Sequence, residues 1–201
     1  MRRVMLTPTK APMPNTLDLW HAEHVNFSRL LTLLDNQLSL FHGGKRPDYE
    51  LMLNIMFYMT HYSDVLHHPK EDLVFAKIRE REHGVAGTVD NLAAQHARLK
   101  KSGQELVRQL DDIMNGTISS REVVETTARD YVGTMRSHMR IEETEILPLA
   151  GKLLTTRDWN AIHTAIERVE DPLFGKHPEG RYVALQQQIA RQAQAARPAG
   201  G

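Results

Sequence analysis

Histidine and glutamate recur four residues apart in two separate parts of the chain. His67 precedes Glu71 in "HHPKED", and His138 precedes Glu142 in "HMRIEE". On an α-helix, side chains at this spacing are rotated by only about 40° and lie about 6 Å apart along the axis, so both members of a pair face the same way. Imidazole nitrogens and carboxylate oxygens without thiolates suit iron, manganese or zinc.

Two more histidines interrupt apolar stripes. At alternating spacings of three and four residues, His24 lies between Trp20 and Phe27, and His96 lies among leucines and valines. A single histidine on such a stripe is usually a hydrogen-bonded core residue. Four of them in four stretches, with two glutamates in phase, instead favour a shared metal site, because an unpaired buried carboxylate costs several kcal/mol.

The stretches that carry these residues are predicted to be long amphipathic helices. Glycine and proline clusters separate helices at about 17–41, 48–82, 85–116 and 119–152, the third beginning near Val85 or Thr88. No strand-like alternation is present. We therefore predict an all-α, up-down-up-down four-helix bundle over residues 17–154.

Short segments are expected on either side of this bundle. Residues 1–16 are proline-rich and predict a flexible arm, and residues 155–201 predict a short extra C-terminal helix and tail, packed on the bundle or extending from it. Gly44 and Gly116 suit helix C-terminal ends. Ser119 with Glu122, and Thr155 with Asp158, have the spacing of capping boxes.

Pro69 lies inside the second predicted helix, where it should break or kink the helix. The phase of the stripe favours His67 and Glu71 over His68 and Asp72 as inward-facing residues, with an uncertainty of one residue because of the proline. In the fourth helix, Glu142 is in phase with His138, and the same stripe continues to Glu145.

Several other polar residues lie close enough in sequence to contribute. Four are candidate additional ligands or supporting residues, namely His21, His68, Asp72 and Glu145. We assign no catalytic residue, although Lys100 and Tyr131 are weak candidates for stabilising or protonating a bound species.

Composition narrows the remaining functional classes. The chain has 25 basic and 25 acidic residues, which gives no strong field for nucleic acid or an anionic membrane. It has no cysteine, no apolar run of membrane-spanning length and no signal peptide, so we expect a cytoplasmic protein. Eleven histidines are many for 201 residues.

Four segments together resemble the bacterial hemerythrin-like proteins of the HHE cation-binding family. They are "AEHVNFSRLL", "LHHPKEDLVF", "LAAQHARL" and "HMRIEETEILPLA", and the tail "LTTRDWNAIHTAI…DPLFG" resembles a bacterial subgroup of that family. The resemblance extends from about residue 17 to residue 175. It implies a bundle around a non-heme di-iron centre with an oxo or hydroxo bridge, with manganese or zinc as possible substitutes.

Carried over to this chain, the resemblance implies six ligands: His24, His67, Glu71, His96, His138 and Glu142. Oxygen-carrying members have a further histidine where this chain has Lys100, so this chain is more similar to the H-HxxxE-H-HxxxE subgroup. The implied ligand is dioxygen, peroxide or nitric oxide. A binding or sensing protein, a catalase-like or oxidase-like enzyme, and an iron store all remain open. We expect a monomer or homodimer and infer no protein partner.

Overall fold

The computed structural model describes residues 16–117, 120–165 and 169–195, and these residues form an all-α structure without strands. The predicted fold class is therefore confirmed. The α-helices are α1 (Thr16–His42), α2 (Tyr49–Tyr58), α3 (His68–Arg81), α4 (Ala86–Met114), α5 (Arg121–Ile141), α6 (Leu147–Leu153), α7 (Thr156–Ala165) and α8 (Val183–Ala195).

The first six α-helices form four long rods. One rod is α1 and another is α4, whereas α2 continues into α3, and α5 into α6, through intervening π-helical turns. Each rod packs against the next one along the chain, and α5 also packs against α1, which closes the bundle. Short connections between successive rods make neighbours antiparallel.

The rod ends follow the expected capping chemistry. Gly44 and Gly116 have φ angles of 74° and 82°, a region that glycine adopts without strain. The residue after each glycine donates its amide hydrogen to a carbonyl five residues earlier, at 2.9 and 2.8 Å, as in a Schellman motif. Before α7, Thr155 and Asp158 exchange hydrogen bonds as a capping box. Ser119, predicted to begin another box, and residues 1–15 lie outside the described residues.

A π-helical segment stands before a proline in both rods that carry the His-x-x-x-Glu pairs. Met59–His67 ends two residues before Pro69, and Glu142–Ile146 ends two residues before Pro148. In both, the residue directly before the proline donates its amide hydrogen to the carbonyl five residues earlier. A proline ring would clash with the carbonyl four residues back in an α-helix, and a wider turn relieves this clash. The predicted break near Pro69 therefore takes the form of a π-helix.

These wide turns change which residues face the core. After Glu142, the next buried side chain is that of Ile146, whereas Glu145 is exposed. The prediction that Glu145 lies on the inner stripe is therefore wrong. In α2, likewise, Leu53 and Phe57 are only partly buried. The prediction used an uninterrupted α-helical period, whereas a π-helix has more residues per turn and so changes the phase between the side chains before it and those after it.

The core consists of two apolar clusters with a polar layer between them. Along every rod, the histidine predicted to be a ligand lies between a residue of one cluster and a residue of the other. On the two rods that also carry a predicted glutamate ligand, that glutamate lies in the same polar layer. Members of the larger cluster include Phe27, Tyr62, Leu99 and Met135, and members of the smaller one include Trp20, Val74, Leu92 and Ile146. The apolar residues on both sides keep water from the polar layer.

The C-terminal segment packs on the bundle. Leu173, Tyr182 and Leu185 are buried in the larger cluster, and the hydroxyl of Tyr58 donates a hydrogen bond to Asp171 at 2.9 Å. The predicted extra C-terminal helix is present as α7, which the structure describes as far as Ala165, and residues 166–168 lie outside the described residues. Among the helices that the structure describes, none is long and apolar enough to cross a bilayer.

Two glycines offer a test of this packing. A Cβ on Gly103 would lie 2.9 Å from Cγ2 of Thr60 and 3.2 Å from a ring carbon of Tyr131, whereas no described atom lies within 4 Å of one on Gly133. We expect Gly103→Ala to lower the free energy of unfolding by about 1–3 kcal/mol through overpacking. Gly133→Ala should raise it by about 0.5–1 kcal/mol through helix propensity. Urea unfolding of both variants measures the two effects, and equal shifts would contradict the close contact at Gly103.

Candidate metal centre

Four buried histidines meet in the polar layer as two pairs. The Nε2 atoms of His24 and His67 are 3.0 Å apart, and those of His96 and His138 are also 3.0 Å apart. Each rod supplies one of the four rings. The structure thus brings together all four histidines that the sequence predicted to be ligands.

Two buried carboxylates lie between these pairs. Glu71 has one oxygen 2.9 Å from Nε2 of His67 and the other 3.5 Å from Nε2 of His96. Glu142 has one oxygen 3.1 Å from Nε2 of His138 and the other 3.5 Å from Nε2 of His24. Each carboxylate therefore faces both histidine pairs, which is the position that a bridging ligand requires.

The outer nitrogen of every histidine is held by an oxygen. Because a carboxylate or amide oxygen can only accept, each Nδ1 carries the hydrogen and donates it. Nδ1 of His24 lies 2.7 Å from Glu143, and Nδ1 of His67 lies 2.6 Å from Glu23. The corresponding distances are 2.8 Å for His96 to Asp72 and 3.1 Å for His138 to Gln95.

These four hydrogen bonds run around the bundle in one direction. We call the four paired histidines, Glu71 and Glu142 the inner cluster. Each acceptor is adjacent in sequence to a residue of this cluster, and it accepts the hydrogen bond from the histidine on the next rod. Glu23 on the first rod accepts from the histidine of the second rod, and Asp72 on the second accepts from that of the third. Gln95 on the third rod accepts from the histidine of the fourth, and Glu143 on the fourth accepts from that of the first. The ring is complete only when all four rods are packed, so it links the bundle to the site.

The inner atoms would all be electron donors if the four imidazoles were neutral. With hydrogens on all four Nδ1 atoms, neutral imidazoles would direct Nε2 lone pairs at each other across 3.0 Å. None of the four oxygens of Glu71 and Glu142 accepts a hydrogen bond from any residue that the structure describes. Buried lone pairs without donors are destabilising. A metal ion among them would satisfy nitrogen and oxygen atoms together, so the residues fit a metal centre.

Protons are attracted to the same place when no metal is bound. Burial lowers the pKa of His67, but Glu71 and Glu23 outweigh this and raise it to about 10. Burial likewise opposes protonation of His24 and His96, yet their hydrogen-bonded carboxylates raise both pKa values to about 9. Burial and the charge of Glu71 raise the pKa of Glu142 well above its ordinary value. The cluster therefore attracts positive charge.

His68 lies beside the second pair. Its ring stacks on His96 with a centroid distance of 4.2 Å, and its Nε2 is 3.1 Å from the hydroxyl of Ser63. One of its nitrogens also falls within a group, formed with Glu71, His96 and His138, whose ligand atoms lie within 4.8 Å of one another. His24, His67 and Glu71 form a second such group, so Glu71 belongs to both.

The remaining sequence candidates lie outside this inner cluster. Asp72 is an outer acceptor for His96, and His21 is an exposed residue 3.0 Å from Glu143. Lys100 and Glu145 are exposed. Tyr131 is buried, and its hydroxyl has no hydrogen-bond partner among the described residues.

Sequence reasoning missed three of the four outer acceptors, which are Glu23, Gln95 and Glu143. Each is adjacent in sequence to an inner residue, in "EH", "QH" and "EE". A polar residue beside a candidate ligand was therefore the available signal. It could not be used without knowing how the rods are rotated, because each acceptor serves a histidine on a different rod.

The centre is closed to large molecules. The side chains of His24, His67, Glu71, His138 and Glu142 are all at most 4% exposed. A groove of about 500 Å³ between α1 and α5 reaches His24 and Glu143, but its described lining does not include Glu71 or Glu142. It therefore approaches the outer side of one histidine, and only small molecules could reach the inner atoms without rearrangement.

Comparison with known proteins agrees with this geometry. The family model for the hemerythrin HHE cation binding domain matches residues 15–150, which include all six inner residues and the four outer acceptors. A search of curated proteins gave no match. The match covers more than half of the chain, and the buried histidine–glutamate cluster supplies the ligand chemistry that a cation-binding domain needs. This chain belongs to the hemerythrin HHE cation-binding domain family.

Proposed function

We propose that the protein holds two iron ions at this centre and uses them to bind and react with dioxygen, peroxide or nitric oxide. The observation that carries the proposal is the position of Glu71 and Glu142, each with its two oxygens directed to different histidine pairs. One ion would be held by His24 and His67 and the other by His96 and His138, with both carboxylates shared.

The donor count supports a reactive centre. Four imidazole nitrogens and four carboxylate oxygens give each ion about four protein donors, fewer than the roughly six of octahedral coordination. Lys100, where oxygen carriers have another histidine, is exposed, so it supplies no donor to the cluster. If both ions are bound as proposed, this shortage of protein donors would favour reaction with a small oxidant over a role as an iron store.

The protein's own residues would prepare the site for this chemistry. When bound, the iron ions supply Lewis acidity and electrons for the small ligand. The four outer hydrogen bonds fix the rings and make the inner nitrogens better donors. Aromatic side chains exclude bulk water, since Phe27 lies 4.9 Å from the ring of His67 and Phe75 lies 5.5 Å from that of His96.

The shared carboxylate can be tested against an exposed one. We expect the wild type to bind two iron ions per chain and Glu142→Gln to bind at most one tightly, because an amide cannot give two anionic oxygens to two ions. Glu145→Gln is the matched control, as Glu145 is exposed on the same π-helical turn. Metal content after dialysis measures the difference. Equal loss of iron from both variants would contradict the assignment of Glu142.

Optical spectroscopy separates the possible activities. We expect the anaerobically reduced, iron-loaded protein to convert irreversibly to an oxo-bridged ferric spectrum when oxygen or peroxide is admitted, since open coordination positions favour reaction. A band that forms with oxygen and disappears when oxygen is removed would instead indicate carriage or sensing. A protein that accumulates many more than two ions per chain, without a defined spectrum, would indicate iron storage and contradict the proposal.

Protons and metal ions compete for the same histidine nitrogens, so the stability of the metal-free protein should depend on pH in a defined direction. In the metal-free protein, His24, His67 and His96 have pKa values raised to about 9, 10 and 9 from 6.5. The stability that they contribute is complete below about pH 6.5 and is lost as the pH rises through about 9–10. Bound metal displaces these protons, so the loaded protein should lack this decline. Thermal unfolding between pH 6.5 and 10, with and without metal, measures it; parallel declines would contradict metal binding at these histidines.

A further inference from the structure

Two buried tyrosines connect the metal centre with the C-terminal segment. Beyond His67, Glu23 accepts a hydrogen bond from the hydroxyl of Tyr62 at 2.8 Å, through the oxygen that does not bind His67. Tyr62 stacks on Tyr58 with a centroid distance of 5.2 Å and an interplanar angle of 16°. The hydroxyl of Tyr58 in turn donates to Asp171 at 2.9 Å. The contacts are continuous from His67 to Asp171.

Each tyrosine has what a one-electron donor needs. A phenol loses its proton when it loses an electron, so oxidation is far easier when a base is already hydrogen-bonded to the hydroxyl. Glu23 and Asp171 are such bases, and both are partly exposed, so the protons can pass on to solvent. Burial and these carboxylates raise the pKa values of Tyr58 and Tyr62 above the ordinary phenol value, which keeps both tyrosines neutral until they are oxidised.

Neighbouring aromatic rings extend the contact in both directions. Phe27 lies between His67 and the pair, with centroid distances of 4.9 Å to His67 and 6.5 Å to Tyr62. On the far side, Tyr182 lies 5.7 Å from Tyr58. Short ring-to-ring distances permit electron transfer in single steps between adjacent side chains. The hydrogen-bonded stack therefore joins the buried centre to Asp171, which is partly exposed.

We propose that Tyr62 and Tyr58 are a two-electron relay that delivers reducing equivalents from the C-terminal side of the bundle to peroxide at the metal centre. This inference rests on the proposed function for its oxidant, hydrogen peroxide. The relay would let the protein complete the reduction of peroxide when its metal ions alone supply too few electrons, and would direct oxidising equivalents away from the buried methionines.

Two tyrosines supply the two electrons that the reduction of one peroxide molecule needs. Reduction of one hydrogen peroxide to two water molecules breaks the O–O bond and consumes two electrons and two protons. Tyr62 and Tyr58 each lose one electron and one proton and become neutral phenoxyl radicals. The phenolic protons move to Glu23 and Asp171, and an equal number from solvent complete the water molecules. An external thiol or ascorbate then returns both radicals to phenols.

The chain provides internal controls for this relay. Tyr49 is half-buried at the opposite end of α2, where it packs on Phe41 rather than on the relay. Asp171 accepts from Tyr58 but lies in the C-terminal segment, away from the proposed ligands, and Asp171→Asn keeps an oxygen for the amides of Leu173 and Phe174. Tyr49→Phe should therefore leave the tyrosine radical unchanged. Asp171→Asn should lower the yield of the radical without removing metal.

Rapid freeze-quench electron paramagnetic resonance of the full-length, iron-loaded protein with peroxide tests the inference. We expect a radical signal that narrows when the protein contains ring-deuterated tyrosine. It should be lost in Tyr62→Phe, which breaks the connection to the centre, lowered to about half in Tyr58→Phe, which leaves Tyr62 and Glu23 in place, and unchanged in Tyr49→Phe. Asp171→Asn should lower the radical yield toward that of Tyr58→Phe, because the proton acceptor of Tyr58 loses its charge. Circular dichroism and iron content of each variant show that fold and loading are retained.

The possible failures are distinguishable. If the protein binds iron and consumes peroxide but forms no tyrosine radical, or if the signal persists in the Tyr58→Phe, Tyr62→Phe double variant, the relay is wrong and the proposed function stands. If the protein binds iron and reacts with dioxygen or nitric oxide but not with peroxide, the relay is wrong and the proposed function stands. If it binds no iron, or reacts with none of the three, the proposed function is wrong and so is the relay.

Discussion

The hydrogen bond on the outer nitrogen of each buried histidine is the interaction on which the site depends. It places the hydrogen on Nδ1 and so directs the Nε2 lone pair inward, toward Glu71 and Glu142. Without these bonds, the rings could take the other tautomer or turn away, and the inner carboxylates would face apolar surroundings. The same four bonds join each rod to the next, so they contribute to bundle packing as well as to ligand orientation.

The rest of the fold supports this polar layer. Apolar clusters on both sides exclude water, which makes every unsatisfied atom in the layer costly and every bound cation more strongly attracted. Removing one partner of such a cluster leaves buried charge behind, so we regard the layer as stabilising only when it is complete. The C-terminal segment completes the larger cluster through Leu173 and Tyr182, and in this way it covers the tyrosines next to the centre.

Hydrophobic periodicity was enough to predict the helices, the bundle and the inward positions of His24, His67, His96 and His138, since one face of an amphipathic helix must be buried. It failed at Glu145, because the π-helical turn before Pro148 alters the helical phase, and nothing in a periodic pattern reveals where a wide turn begins. The acceptors Glu23 and Gln95 depend on the rotation of one rod against another. Such contacts between distant residues have no periodic signature in the sequence.

One member of the ring of outer acceptors differs from the others in charge. Glu23, Asp72 and Glu143 are carboxylates, whereas Gln95, which holds His138, is a neutral amide. A charged acceptor gives the imidazole imidazolate-like character, and a neutral one does not. The imidazoles of His24, His67 and His96 are therefore stronger electron donors toward a bound cation than that of His138, so the cluster is electrically asymmetric.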